Sequence, residues 1–400
     1  MNIKERIKIC DYQKGKALLA GRVIGLIDVD QKAFVLQDDS GRIDIYASEM
    51  PKIGSLVLVE IEDGKLVKIS ELASCEEFFV NKSSPNYQKI IIDLSLREKI
   101  LQRQKLYEAV RKFFKNESYI EVETPELVKL PGMEPYLDVF KTRFEANFAL
   151  DKKVEEDMYL ITSPEYAMKK LLVGGLEKIF QITKAFRNKE AFSSTHNPEF
   201  SILEWYRAYA DYQQMMDETE ALVKTVAKEF KIDKYDVEWE RISVADAFQK
   251  YAGYSKSEFE KKMFNDDWFF DVFMNKIEPI LGKERPQFVF DYPITQAALA
   301  KARDGKYAER FELYIDGLEL CNGFSELNEA CEQLKRLNEE KALREKLSKN
   351  VYSVDKSFVE ALKFGMPPAT GNALGLDRLL MIIGEASNIE QVLTFPYKDL

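Results

Sequence analysis

The residue pattern predicts an α+β chain: a small β-barrel, then a larger domain built from antiparallel strands and helices. Two observations lead there. In roughly the first eighty residues, short apolar segments alternate with turn signals at intervals too short for helices. Beyond them, segments of period two are interleaved with segments of helical period, with no internal repeat. Hydrophobic residues are 46% and aromatic residues 12% of the 400, enough to build cores for one small and one large domain.

The barrel comes first. ALLAGRVIGLI, AFVLQDD, RIDIYAS, SLVLVEIE and KLVKISEL read as five strands. They are separated by turn residues at Asp28–Gln31, Asp39-Ser40-Gly41, Pro51–Gly54 and Asp63-Gly64. Five strands in so short a stretch suggest an OB-like barrel over residues 1–80. Residues 1–75 hold 11 Lys and Arg against 12 Asp and Glu, an unusual balance for a phosphate binder. The polar stretch NKSSPNYQ falls within a linker read as 81–95, and the larger domain as 96–400. That domain opens with LREKILQRQKLYEAVRKFF, apolar at helical spacing through Leu106, Val110, Phe113 and Phe114, before the strand-like YIEVETPELV. The charged run EQLKRLNEEKALREKLSK (332–349) reads as a solvated helix.

Composition removes several chemistries. No apolar run reaches membrane-spanning length and the N-terminus lacks a signal-like stretch, so a cytoplasmic protein with no membrane partner is expected. Cys10, Cys75, Cys321 and Cys331 have no CxxC spacing, and His196 is the single histidine. Zinc centres and histidine triads are thereby disfavoured. Carboxylates, arginines and backbone must carry any mechanism. A net charge of −10 argues against bulk attraction to nucleic acid.

Three constellations remain. In FQITKAFRNKEAFSSTHNPEFSILEWYRAY (180–209), two alternating segments flank a polar loop. Period two puts Phe200, Ile202, Glu204 and Tyr206 on one face, where a glutamate between apolar and aromatic neighbours suits an ammonium. Arg187 would reach the same surface; a surface hairpin and a ligand site both fit. In RFELYIDGLELCNGFSELNE (310–329), Asp316-Gly317 is a two-residue hairpin turn. It sets Glu312 opposite Cys321 and Glu319 opposite Tyr314, a diagonal carboxylate pair suited to Mg²⁺ or simply exposed on an edge. Bringing Asn322 and Glu326 to that face needs a bulge, expected at Gly323. In GMPPATGNALGLDRLLMIIG (365–384), Gly371 and Gly375 allow close backbone approach, and Arg378 opens a helix where a phosphate or adenine can be met. An ordinary strand-to-helix turn has the same look.

Taken together, these segments resemble the class II lysyl synthetase catalytic domain from about residue 88 to 400, with its three motifs in order. They are FFKNESYIEVETPELV, FRN…HNPEFSILEWY and ALGLDRL, and the run FELYIDGLELCNGFSELNE resembles the lysine branch in particular. The resemblance implies an antiparallel class II sheet, ATP and Mg²⁺ as cofactors, and a homodimer through the region of Pro125. It implies that Arg187 meets the α-phosphate, that Asn197 and Phe200 hold adenosine, and that Arg378 and Gly375 lie along the nucleotide. Glu312 and Glu319 would hold Mg²⁺. Ser163, Glu165, Glu204, Tyr206, Asn322, Glu326 and Ala373 would line the amino-acid pocket. The implied chemistry is attack of the amino acid's carboxylate on the α-phosphorus, then transfer of the acyl group.

Two branches differ in acceptor. LPGMEPYLDVF, TSPEYAMKKLL, FVFDYPITQAALA and the alanine at 373 are similar to elongation factor P–(R)-β-lysine ligases. The barrel is similar instead to lysyl-tRNA synthetases, although Phe34 is the one aromatic near the base-stacking position and Asp44 replaces a glutamine there. Phe34 is either a core residue or a stacking platform. The second motif departs from the usual Arg-x-Glu: it reads Arg187-Asn188-Lys189-Glu190, and Ser194-Thr195 stands where an arginine is expected. Lys189 and Glu190 are the candidates to replace the missing charges in ATP binding. The expected function is activation of lysine or β-lysine and transfer to elongation factor P. Charging of tRNA is the alternative, and a binding paralogue of weak activity a third. His196 either shapes the loop or moves a proton.

Overall fold

In the computed structural model, residues 1–28, 32–148, 152–190 and 193–400 are described. The turn read at Asp28–Gln31 falls largely outside them. The chain forms two compact units, Met1–Arg97 and Glu98–Leu400.

The first unit is a closed barrel. Strands β1 (Lys16–Asp28), β2 (Ala33–Gln37), β3 (Arg42–Tyr46), β4 (Leu56–Glu62) and β5 (Lys65–Ala73) close in the order β1-β2-β3-β5-β4. Alternate apolar positions, among them Leu19, Val23, Leu36, Ile45, Val57 and Ile61, fill the interior. The β4–β5 hairpin turns through Asp63 and Gly64, both at positive φ, as its Asp-Gly pair requires. Phe34 is 0% exposed and packs the barrel, so it is a core residue and no stacking platform, whereas Asp44 on β3 is exposed. Within the segment read as a linker, Asn86–Lys89 forms a short helix, α1.

The second unit begins within α2 (Leu94–Asn116), followed by β6 (Ile120–Glu121) and a three-stranded sheet of β7 (Leu127–Val128), β8 (Lys141–Phe148) and β9 (Lys152–Leu160). Helix α3 (Glu165–Val173), β10 (Lys178–Phe186), β11 (Glu199–Ala208) and α4 (Tyr212–Glu229) come next. Strand β12 (Glu240–Ser243) leads to helices α5 (Val244–Ala252), α6 (Lys256–Lys262) and α7 (Asp266–Val272). After them come β13 (Gln287–Pro293), β14 (Ala302–Arg303), β15 (Tyr307–Ile315) and β16 (Leu318–Ser325). Helices α8 (Ala330–Lys346) and α9 (Lys356–Gly365), strand β17 (Ala369–Gly375) and α10 (Leu376–Ile383) complete it. The main sheet runs β12-β13-β15-β16-β17-β11-β10-β6, mostly antiparallel.

Strand β11 is therefore central, between β10 and β17, and the surface-hairpin alternative does not hold. Its odd residues Leu203 and Trp205 share an apolar core with Phe114 of α2, Met215 of α4 and Leu379 of α10. With that face covered, the even residues are left to form a site. Helix α8 is less solvated than its charge run suggests, because one stripe of it packs inward. Gln333, Leu337 and Arg344 are buried, and Arg344 donates to the carbonyls of Glu134, Leu137 and Asn350 at 2.6–2.8 Å. Three accepting carbonyls satisfy its Nε and Nη1, while Nη2 lies 3.9 Å from Asp138, which offsets the cost of burying the guanidinium.

Candidate active site

The register of the sheet writes the site in rows. Gln181, Glu204, Ala373, Asn322 and Glu312 lie directly opposite one another across β10, β11, β17, β16 and β15. Tyr206, Gly371, Phe324 and Arg310 form the next row, and Ile202 pairs with Gly375 on the other side. Directly paired residues share a face, so these rows form one surface. The hairpin keeps the expected Glu319–Tyr314 pair, but the register shifts beyond it. Glu312 faces Asn322 and Leu313 faces Cys321, because the extra residue is Leu320, between Cys321 and Glu319. The bulge at Leu320, not at Gly323, is what brings Asn322 to the face of Glu312.

At the Tyr206 end the surface is a buried anionic pocket. Glu204 accepts from Ser163 Oγ at 2.7 Å and from Tyr206 Oη at 2.5 Å. Ser163 Oγ also accepts from the Glu165 backbone N–H, so one hydroxyl both caps the start of α3 and orients Glu204. Glu165 and Glu326 are joined by Lys169, whose ammonium lies 2.5 Å from each carboxylate and is fully buried. Three carboxylates around one ammonium leave the pocket short of positive charge. Burial, then the field of Glu165, pushes Glu204 up to about 8. Burial also pushes Glu326 up to about 8, despite the opposing pull of Lys169. Gly371 serves this pocket in an unexpected way. A Cβ there would come within 2.5 Å of Glu326 Oε1 and 2.4 Å of the Tyr206 ring, so its lack of a side chain makes room for those residues.

At the Gly375 end lies a cavity of about 170 Å³ lined by Arg187, Glu190, His196, Asn197, Phe200, Glu319, Gly375 and Arg378. Asn322 and Ala373 line it too, so it meets the row that holds Glu204. Arg187 lies over the Phe200 ring at 5.1 Å and pairs with Glu190 at 3.5 Å, while its Nε is buried and has no acceptor among the described residues. Asp377 fastens the opposite wall. It accepts from the Ser201 N–H at 2.7 Å and lies 2.6 Å from Arg103, anchoring the turn that carries Arg378. Arg378 reaches the Glu319 carbonyl at 2.8 Å and His196 Nε2 at 3.0 Å. An arginine has no acceptor, so His196 Nε2 accepts and Nδ1 bears the hydrogen, placed 2.6 Å from Ser193 Oγ. Burial, then Arg378, lowers the His196 pKa, which keeps the ring neutral in its bridging position. Asn197 is held on both ends of its amide, by the Tyr397 N–H at 3.0 Å and the Glu199 carbonyl at 2.6 Å.

Two candidate residues sit differently from expectation. Lys189, at positive φ, turns towards Asp138 at 3.9 Å and does not line the cavity. Glu312 and Glu319 do not form an open carboxylate pair. Tyr292, Tyr314, Arg310 and Asn322 donate to Glu312 at 2.5–3.3 Å and occupy both its oxygens. Glu319, which lines the 170 Å³ cavity, is the one of the two that fits a cation beside a phosphate. Among the described residues, no group of three or more metal-ligating side chains could hold an ion.

Lys169, Arg310 and Arg344 escape a reading of the residues. Lys169 and Arg344 are buried and Arg310 is half-buried, and only tertiary packing distinguishes them from a surface lysine or arginine.

Residues 84–399 match the family model described as tRNA synthetases class II (D, K and N). The chain is 37% identical to the elongation factor P–(R)-β-lysine ligase of Haemophilus ducreyi, over 74% of this chain and 93% of that protein. It is likewise 37% identical to the protein of that name from Mannheimia succiniciproducens, over 74% and 94%. It is 31% identical to the lysine–tRNA ligase of Magnetococcus marinus, over 94% of this chain and 86% of that protein.

Proposed function

The chain belongs to the class II tRNA synthetases of the D, K and N group, and from that premise we propose that it activates lysine or (R)-β-lysine with ATP and passes the acyl group to a lysine of elongation factor P. The observation that carries the reading is the anionic pocket: Glu165, Glu204 and Glu326 around the single ammonium of Lys169, beside a cavity walled by two guanidinium groups. One ammonium against three carboxylates suits a substrate that carries two more. Glu204, Tyr206 and Glu326 take one amine and Ser163 with Glu165 the other, while Asn322 and Ala373 shape the floor. The carboxylate lies towards the α-phosphate, which Arg187 meets. Phe200 stacks on adenine beside Asn197, and Gly375 lets the nucleotide approach. Magnesium would enter with the phosphates of ATP and meet Glu319.

In the first step the substrate carboxylate attacks the α-phosphorus and pyrophosphate leaves. Arg187 and Arg378 neutralise charge as it builds on the phosphoryl oxygens, so positioning and fixed charge do the work without a covalent enzyme intermediate. No helix among the described residues is long and apolar enough to cross a membrane, and we assign the reaction to the cytoplasm. We assign a homodimer to the surface around Pro125.

The raised carboxylates give the reading a pH signature. Glu204 and Glu326, pushed up to about 8, hold protons in the empty pocket at neutral pH, whereas a bound ammonium favours their charged forms. Binding therefore releases protons, and affinity rises with pH. KM for lysine should fall up to about tenfold per pH unit for each proton released between pH 6.5 and 7.5. A KM that is flat or rising over that range contradicts the protonated pocket.

A second reading has its own support. The barrel, together with the similarity to a lysine–tRNA ligase over 94% of the chain, favours tRNA as the acceptor. Purified protein given ATP, labelled lysine or β-lysine, and either elongation factor P or tRNA separates the two. Label on elongation factor P supports the first reading. Label on tRNA with elongation factor P unlabelled supports the second, in which case deleting residues 1–80 should abolish charging and spare adenylate formation.

A further inference from the structure

A cleft of about 910 Å³ opens beside the site, with Glu312, Glu319 and Arg310 on one wall and Glu134 and Glu340 on another. Carboxylates outnumber cations along it, a surface that repels a phosphate backbone and attracts an amine. Glu134 also lines a smaller chamber together with Ser163 and Glu165, so it stands where the cleft meets the anionic pocket. Its Oε2 is sealed from solvent and has no hydrogen-bond partner among the described residues. A buried acceptor left unmatched in this way is costly unless a donor arrives to meet it. Glu340, on the inward stripe of α8, is within the field of both Glu134 and Glu165. The cations nearest in the helix are otherwise engaged. Arg336 bonds Glu332 and the carbonyls of Ala298 and Ala300, and Lys335 pairs with Glu332 and Glu339. No ion pair reaches Glu134 or Glu340 among the described residues.

We propose that Glu134 and Glu340 receive the acceptor's amine, binding it as an ammonium and taking its proton so that the nitrogen can attack the adenylate. This rests on the protein-acceptor reading above. An amine that enters charged has no lone pair, and a hydroxyl acceptor would have no use for two carboxylates that bind a cation. The ammonium gives one proton to the carboxylate pair, and its nitrogen forms a bond to the acyl carbon. The acyl carbon–oxygen bond to phosphate breaks, AMP leaves with that electron pair, and the nitrogen's second excess proton passes to solvent. The ionisation of Glu340 fits the task. Burial, then the fields of Glu134 and Glu165, pushes it up to about 8, and burial raises Glu134 as well, so amine transfer should rise with pH from 7 towards 8 as the pair sheds its protons.

The test uses the full chain, preloaded with lysine and ATP, in single-turnover transfer to elongation factor P and to the small amine Nα-acetyl-lysinamide. Hydroxylamine is the third acceptor; it is mostly neutral at pH 7 and needs no proton removed before its nitrogen can attack. In the variant carrying Glu134→Gln and Glu340→Gln, transfer to both amines, relative to ATP–pyrophosphate exchange, should fall about 100-fold, and trapping by hydroxylamine should not fall with it. Parallel losses with amine and hydroxylamine, or no loss with either, overturn the assignment. A wild-type protein that leaves elongation factor P unlabelled overturns the acceptor reading instead, and Nα-acetyl-lysinamide still reads the glutamate pair by itself.

Discussion

Glu326→Gln should lower kcat/KM for lysine in ATP–pyrophosphate exchange about 1000-fold, with KM for ATP within about twofold of wild type. Glu326 is 2% exposed, its Oε2 is spent on Lys169, and its Oε1 faces Gly371 and Tyr206. In the substrate-bound pocket, where Glu326 is charged, an amide in its place removes half of the counter-charge to Lys169 and all that Oε1 offers a second ammonium. Removing one partner from a buried ion pair costs about 3–5 kcal/mol, and about 4 kcal/mol corresponds to a thousandfold. Steady-state exchange at varied lysine checks it. Thermal unfolding of the same variant separates loss of the pocket from loss of the fold. A KM for ATP that rises as steeply as the KM for lysine would mean that the two subsites are not distinct.

Arg187→Met should lower kcat for exchange by up to about 1000-fold and leave KM for lysine within about twofold. The guanidinium is held over Phe200 and by Glu190, while its Nε is buried with no acceptor among the described residues. A donor fixed in that state costs no reorganisation when an oxygen of the reacting phosphoryl group reaches it. Methionine keeps the contact with the Phe200 ring and loses the charge, so pre-steady-state adenylate formation isolates the electrostatic part. Equal losses for Arg187→Met and Arg187→Lys would show that the planar fork matters and not the charge alone.

How far the residues foretold this follows physical lines. Period two exposed Glu204 and Tyr206 as face-mates, since alternation is a local property of a strand. Asp316-Gly317 was legible for the same reason, with both residues at the positive φ its turn demands. The position of the bulge was not legible. Gly323 is the permissive residue, but Phe311 and the Gly371 carbonyl crowd its missing Cβ, and the extra residue falls at Leu320 instead. Lys169 was invisible because MKKLL offers two adjacent lysines, and only the rotation of α3 decides which is buried. It is Lys169, while Lys170 is left to Asp355 and Ser357. Arg344 and Glu340 hid within a charge run for the same reason: the stripe of α8 that turns inward is set by what packs on it. Phe34 was ambiguous until the barrel closed around it.

We infer that the pocket selects a molecule bearing two ammonium groups and presents its carboxylate to ATP. ATP–pyrophosphate exchange with lysine, (R)-β-lysine and norleucine tests this most directly, because norleucine keeps the chain and lacks the distal amine. Exchange with at least one of the two diamines, and at least about 100-fold less with norleucine, is the predicted result. Exchange that proceeds as well with norleucine, or that is absent with both diamines, would contradict it.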